Sequence, residues 1–185
     1  VKLPFHTIPV GIVFKGEVCI TISFHKTEML SDFVTYTKRK NIDIKDNFDL
    51  VLKLLLSSSV WFLKYLKQVN QKIKLAEDNL EKSIKNEELQ ALLQIEKCLV
   101  FFMTSLKGND ILLHRIKNIK SQREHFDLDL LEDVEIELRQ AQETTNIYSD
   151  ILTGTMDAYA SVISNNMNTI MKQMTSISII LMIPT

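Results

Sequence analysis

Residues 127–185 read DLDLLEDVEIELRQAQETTNIYSDILTGTMDAYASVISNNMNTIMKQMTSISIILMIPT, and this stretch decides the fold. It contains no proline before Pro184 and a single glycine, Gly154, so little in it would interrupt a helix. At 1.5 Å per residue the stretch predicts one helix of roughly 87 Å. A compact domain of this size does not need such a rod, which therefore looks like a stalk that links two places.

The composition of the whole chain agrees with a helical protein. The 185 residues include only 4 Gly and 3 Pro, with 45% hydrophobic and 24% charged residues. Few turn-forming residues favour a small number of long elements over many short ones. We therefore expect a mainly α fold of the α+β type.

Residues 1–45 are predicted to be the C-terminal part of an α/β cytoplasmic domain. Strands are predicted over Thr7–Phe14 and Val18–Phe24, joined by Lys15, Gly16 and Glu17, and a short helix follows around Thr27–Lys40. A single hairpin is not stable in water by itself. We expect earlier strands of this domain to precede the sequence.

Residues 46–119 are predicted to form a long antiparallel helical hairpin. Apolar residues recur here at steps of three and four, which is the pattern of a buried helical seam. Two steps of seven pass over Ser59 and Ala76. The members of the seam are Phe48, Leu52, Leu55, Phe62, Leu66, Val69, Ile73 and Leu80. This seam predicts a helix over Asp46–Ser83, and a second helix is expected over Glu87–Ile119. The polar stretch Lys120–His125 predicts a loop before the stalk helix of residues 127–185.

Charge and motifs exclude several classes of protein. The net charge of -1 disfavours nucleic acid as a partner. Cys19 and Cys98 stand alone, the four histidines have no ligand or triad spacing, and no glycine-rich phosphate loop is present. We therefore expect no enzyme. The upper stalk is acidic, and this acidic face either is solvated, attracts cations, or packs against the lysine-rich hairpin. The lysines concerned are Lys64, Lys67, Lys72, Lys74, Lys82 and Lys85.

A polar seam runs along the lower part of the stalk. Its members follow steps of four and three: Asp157, Ser161, Ser164, Asn168, Met171, Thr175, Ser178, Met182 and Thr185. A seam of this kind cannot form a dry core between helices, because buried hydroxyls or amides without partners cost roughly 1 to 3 kcal/mol each. It can line a water-filled axis, where oxygens replace part of an ion's hydration shell; the alternative is an ordinary solvent-facing side. Residues 174–185 carry no charge and are too short to span a bilayer, which needs about 20 apolar residues, but they are long enough to begin a span.

The segment from Asp150 to Lys172 resembles the stalk-to-pore helix of the CorA family of magnesium transporters, and Thr175–Thr185 resembles the start of that family's first membrane helix. The resemblance implies a homopentameric channel in the cell (inner) membrane, surrounded by lipid. Most of this sequence would then lie on the cytoplasmic side, with the first membrane helix truncated. Mg²⁺ would be both the transported ion and a regulatory ligand, and Co²⁺ and Ni²⁺ are further candidates for transport.

The resemblance also implies roles for single residues. Asp157 falls on a position that senses cytoplasmic Mg²⁺ at the subunit interface. Met174 falls on the position of a hydrophobic gate, and other positions line the pore: Asn168, Met171, Met182 and Thr185. Thr175 and Ser178 join the pore-lining set through the spacing of the seam.

Three alternatives remain open at this point. The nearest is a zinc transporter of the ZntB type within the same family, because the family's Gly-Met-Asn motif and second membrane helix lie outside this sequence. The second is a soluble helical scaffold that oligomerises through its long helix. The third is a metal-dependent hydrolase.

Overall fold

The computed structural model of the protein describes residues 3–16, 18–82, 86–119 and 127–182. Two strands and four helices follow one another along the chain: β1 (Val10–Lys15), β2 (Val18–Ser23), α1 (Glu28–Lys40), α2 (Asn47–Lys82), α3 (Asn86–Asn118) and α4 (Leu128–Met182). The predicted fold class, mainly α with a small sheet, is confirmed. The loop predicted at Lys120–His125 lies outside the described residues, as do Glu17, Lys85 and Thr185.

The two strands form an antiparallel hairpin in which Val13 faces Ile20. Gly16 follows β1 with φ 59, a left-handed backbone that glycine adopts without a side-chain clash. Because side chains alternate along a strand, the hairpin has two faces. Val10, Ile12 and Phe14 on one face are half-buried, and the other face leaves Val13 and Ile20 about half exposed.

The link between α1 and α2 is held by charged side chains. Helix α1 starts at the cap Thr27, whose Oγ1 accepts the Leu30 N–H, and ends at Asn41 in the left-handed region. The buried carboxylate of Asp49 accepts the backbone N–H of Lys45 at 2.8 Å and the Lys53 ammonium at 2.7 Å. The linker is therefore fixed against the first turns of α2.

The three long helices pack side by side. Helix α4 runs parallel to α2, because Lys45 just before α2 pairs with Asp127 just before α4, and Glu77 near the end of α2 contacts Thr155 far along α4. Helix α3 runs antiparallel to both. Two groups of buried apolar side chains along this bundle form the core.

The predicted seam of α2 is the buried face of that helix. Six of its eight members are buried, and Phe48 and Phe62 pack against the core as half-buried side chains. Ser59 and Ala76, at the two steps of seven, are buried too. The hydroxyl of Ser59 donates to the Leu55 carbonyl at 3.1 Å, so its burial leaves no donor without a partner.

Among the described residues, α3 is the helix that has the length and apolar composition of a membrane span. A third of its most apolar window is buried inside the chain. The buried part includes Leu92, Leu99 and Leu106, which face α2 and α4. Packing inside the bundle thus accounts for part of its apolar character.

Candidate functional site on helix α4

Helix α4 begins at a charged cap. Asp127 accepts the Leu130 N–H through Oδ1 at 3.2 Å and pairs through Oδ2 with Lys45 Nζ at 3.1 Å. The Leu130 N–H and then the Lys45 ammonium hold the pKa of this carboxyl below its ordinary value. The same pair raises the pKa of Lys45. This contact ties the start of α4 to the link between α1 and α2.

One side of α4 packs against the helical hairpin that α2 and α3 form. Its fully or nearly fully buried members recur at steps of three, four and seven: Val134, Leu138, Ala141, Thr145 and Leu152. The Thr145 hydroxyl donates to the Ala141 carbonyl at 2.7 Å, so this polar residue is satisfied inside the core. The buried side of α4 ends near Leu152, and every side chain from Ser164 to Met182 is exposed.

Two hydrogen bonds join α4 to α2 near the end of the packed part of α4. The Thr155 hydroxyl donates to the Glu77 carboxylate at 2.8 Å, and the Tyr159 hydroxyl donates to the Glu77 carbonyl at 3.4 Å. Sequence reasoning missed this tether. The signal was present, since Thr155 and Tyr159 stand four residues apart and continue the buried side of α4 beyond Leu152.

The alternative in which the acidic stalk packs against the lysine-rich helical hairpin is seen only in part. Glu135 pairs with Lys117 near the end of α3, and Asp127 pairs with Lys45. The five described lysines of the predicted set are exposed and form no ion pair with α4 in the described part of the chain. Lys64 instead lies over the Trp61 ring, 3.7 Å from its centroid.

Asp157 is exposed and points away from the hairpin. It lies five residues after Leu152, a rotation of about 140° from the buried side of the helix. Within the described residues, no three His, Cys, Asp or Glu side chains of one chain could together hold a metal ion.

The polar seam continues this outward direction. Asn168, Met171, Thr175, Ser178 and Met182 are all exposed and share one side of the helix with Asp157, to within about 60°. Met174 lies at the edge of the seam, one turn from Met171 and from Ser178. Thr185 lies outside the described residues, so its place in the seam stays a prediction.

Hydroxyl groups on this segment donate to their own helix. Thr175 Oγ1 donates to the Met171 carbonyl and Ser178 Oγ to the Met174 carbonyl, each at 2.8 Å. Because each hydroxyl has a single donor, what remains available outward is its acceptor lone pairs. The seam consequently presents oxygen acceptors, the groups that cations prefer.

A protein-family model described as CorA-like Mg²⁺ transporter protein matches residues 2–185. The chain belongs to this family. Among curated proteins, the cobalt/magnesium transport protein CorA of Methanocaldococcus jannaschii is 26% identical over 187 aligned positions, which cover 96% of this chain and 57% of that protein. The chain thus spans somewhat more than half the length of the curated relative.

Solved structures of CorA share the fold. The complete structure of the CorA magnesium transporter from M. jannaschii matches with a TM-score of 0.68 and 22% identity, over 91% of this chain and 58% of that one. The soluble domain of the same protein matches with a TM-score of 0.57 and 20% identity, over 81% and 67% of the two chains. The resemblance stated from residues 150–185 is therefore confirmed at the level of the family.

Proposed function

We propose that this chain is the cytoplasmic and stalk part of a homopentameric channel that carries divalent cations, chiefly Mg²⁺, across the cell (inner) membrane. Co²⁺ and Ni²⁺ are further candidate ions. Residues 1–45 belong to an α/β domain, 46–119 to the helical hairpin, and 127–185 to the stalk that enters the lipid. No catalytic residue takes part in this function.

One observation carries the proposal. The last nineteen described residues of α4, from Ser164 to Met182, all have exposed side chains, yet they combine a polar seam with apolar sides. Exposed apolar residues such as Ile177, Ile180 and Leu181 are unfavourable in water. A ring of these helices buries the apolar sides against lipid or one another and turns the seam toward a common axis.

The seam supplies ligands suited to a hydrated divalent cation. Asn168 offers an amide carbonyl oxygen, and Thr175 and Ser178 offer hydroxyl acceptors. Met171 and Met174 are apolar and adaptable, so together they form a constriction that closes by losing its water. Met182 and Thr185 continue the lining toward the membrane.

Regulation is assigned to Asp157. Its carboxylate is exposed, lies on the side of the seam, and has no metal-ligand partners within one described chain. Mg²⁺ held between Asp157 and a neighbouring copy would link ion binding to the arrangement of the ring. Loss of the ion would leave acidic groups that repel one another, and the ring would open.

Cysteine scanning of the full-length protein tests the pore. Each residue from Asn168 to Met182 is replaced by cysteine in turn, and cation uptake is measured with and without a charged, water-soluble thiol reagent. We expect inhibition at the constriction residue Met174 and along the seam, at Asn168, Met171, Thr175, Ser178 and Met182. The matched controls are Ile170 and Ile177, which lie off the seam and should react little.

The same assay separates the rival functions. Inhibition that does not follow the three-and-four spacing, or that is absent in a protein that still transports, would reject this seam as the pore. Uptake of Zn²⁺ in preference to Mg²⁺ would favour the zinc-transporter alternative. No uptake of any divalent cation by a correctly assembled protein would favour the helical scaffold.

A further inference from the structure

Helix α4 exposes an apolar stripe that is separate from its polar seam. Ile136, Ile147 and Ile151 are 48 to 55% exposed, and steps of eleven and four residues keep them on one side of the helix. The small exposed residues Gly154 and Ala158 continue the stripe. Ile151 lies one turn before Thr155, which contacts α2, so the stripe follows the edge of α4 that borders α2.

Helix α3 carries a second apolar stripe at the opposite edge of α4. Leu93, Val100 and Ile111 are 42 to 57% exposed, and steps of seven and eleven residues align them. Val100 lines a shallow groove between α3 and α4 whose other wall includes Asn146 and Ser149. The chain therefore exposes two different apolar edges, one on each side of the outward face of α4.

The two stripes lie at matching heights along the bundle. Lys117 pairs with Glu135, and the Gln142 amide donates to the Leu106 carbonyl. In antiparallel helices, residue numbers rise along one helix as they fall along the other, so residues at the same height have a constant sum of numbers. In both contacts this sum is about 250. By this rule three α4 positions match three α3 positions to within about three residues, or about 4 Å: Ile136 with Ile111, Ile147 with Val100, and Gly154 with Leu93.

Charged residues beside the stripes match in the same way. Glu143 and Asp150 flank the stripe of α4, while Lys107 and Lys97 flank that of α3, and the pairs Glu143 with Lys107 and Asp150 with Lys97 follow the same height rule. All four side chains are exposed, and none forms an ion pair within the described ranges of the chain. The two edges are thus complementary in charge as well as in apolar character.

We propose that the α4 edge of one copy docks on the α3 edge of a second copy of this chain. The inference rests on the oligomer of the proposed function and adds which surfaces meet. In a ring whose axis runs along the helices, all copies sit at the same height, so the matched residues face one another across the interface. Because the two edges differ, the contact is head-to-tail, which is the kind that closes a ring when the rotation between copies allows it. In the ring of the proposed function, the polar seam between the edges faces the axis.

Cross-linking between single-cysteine chains tests the contact. In the full-length protein with Cys19→Ser, one chain carries Val100→Cys and another, with a different tag, carries Ile147→Cys. Cys98 is kept, since it is buried and donates to the Phe5 carbonyl at 3.0 Å. A disulfide requires Cα atoms within about 7 Å, so a product with both tags is expected after mild oxidation. In the control, the first chain carries Phe101→Cys instead of Val100→Cys. Phe101 lies at the same height as Val100 but on another side of α3.

The outcomes are distinct. The head-to-tail contact is overturned if Ile147→Cys chains link efficiently to one another. It is also overturned if Phe101→Cys links to Ile147→Cys as efficiently as Val100→Cys does. If light scattering shows the oligomer and uptake of Mg²⁺ persists, but Val100→Cys and Ile147→Cys do not link, this inference fails and the proposed function stands. If the unaltered protein in membranes neither assembles nor transports, the proposed function fails and this contact falls with it.

Charge reversal gives an independent readout. Asp150→Lys should weaken association by about twofold to fivefold, the usual worth of one exposed ion pair, and adding Lys97→Glu should restore it. Asp32→Lys, at an exposed site on α1 and on neither stripe, is the control for the change in net charge. Failure of the double variant to recover, with the control unaffected, would contradict the pairing.

Discussion

Two leucines of α2 show how the position of a single residue decides its contribution. Leu66 is fully buried between α2, α3 and α4, whereas Leu75 is 63% exposed on the same helix. Both have the same helix propensity, so the difference between them comes from packing alone. Substitutions at these two sites therefore separate core packing from helix formation.

Leu66→Ala is expected to lower the free energy of unfolding by about 2 to 5 kcal/mol, because it removes buried methyl groups and leaves a cavity. Leu75→Ala should change it by no more than about 0.5 kcal/mol. Urea denaturation followed by circular dichroism measures both. Similar losses for the two variants would mean that Leu66 is not in the core.

Asp157 acts, on our proposal, through an ion and not through packing. Asp157→Ala in the full-length protein should weaken closure by cytoplasmic Mg²⁺, since a ligand at 100 times its dissociation constant stabilises the binding state by roughly 2.7 kcal/mol per site. The readout is the Mg²⁺ dependence of the current. Asp133→Ala, another exposed aspartate of α4, is the control. An unchanged Mg²⁺ dependence in Asp157→Ala would remove the regulatory role.

At the scale of the element, the start of α4 depends on one carboxylate. Asp127 caps the helix through the Leu130 N–H and joins it to Lys45. Its pKa is lower in the folded chain than the ordinary value of 3.8. The stabilisation it gives is therefore fully present above pH 3.8 and is lost as the pH falls through the folded pKa.

Substitutions at Asp127 separate the two contributions. Asp127→Asn keeps a side-chain oxygen for the cap but removes the charge, and Asp127→Ala removes both. We expect amide hydrogen exchange in the first turn of α4 to be slowest in the parent, faster in the asparagine variant and fastest in the alanine variant. On acidification, only the parent should lose the part of its amide protection that comes from the charge of Asp127. Identical pH profiles in the parent and Asp127→Asn would show that the charge of Asp127 does not stabilise the first turn of α4.

The whole molecule has a packed part and a projecting part. Every described residue from Ser164 onward is exposed, so this segment adds nothing to the core. Leu152, Thr155 and Tyr159 mark the end of the packed part. On our proposal, the apolar surface of the projecting part contacts lipid or other copies, so stability and assembly should depend on different parts of α4.

Shortening the chain tests this division. A variant that ends at Ile163 should unfold at the same urea concentration as the parent, within error, but associate less. A variant that ends at Ser149 should be clearly less stable, because it loses Leu152 and both polar contacts with Glu77. Light scattering reports the association. A large drop in stability for the Ile163 variant would show that the projecting part packs on the rest.

The sequence alone determined the order of the helices and strands and the face that α2 buries. The seam of α2 was readable because the period of a helix places residues three and four apart on one side, whatever the rest of the chain does. For the same reason the polar seam of α4 was predictable as far as Met182. The family resemblance was likewise carried by a contiguous segment of α4.

Contacts between residues far apart in the chain were decided only by the tertiary structure. Nothing in the sequence says that Thr155 meets Glu77, that Lys117 meets Glu135, or that Ile147 and Val100 lie at one height. Such contacts depend on how three helices settle against one another, and that is fixed by the sum of many packing interactions. For the same reason, the alternative in which the acidic stalk packs on the hairpin lysines is seen only in part. Complementary charge does not by itself bring two surfaces together when core packing sets the helix rotation.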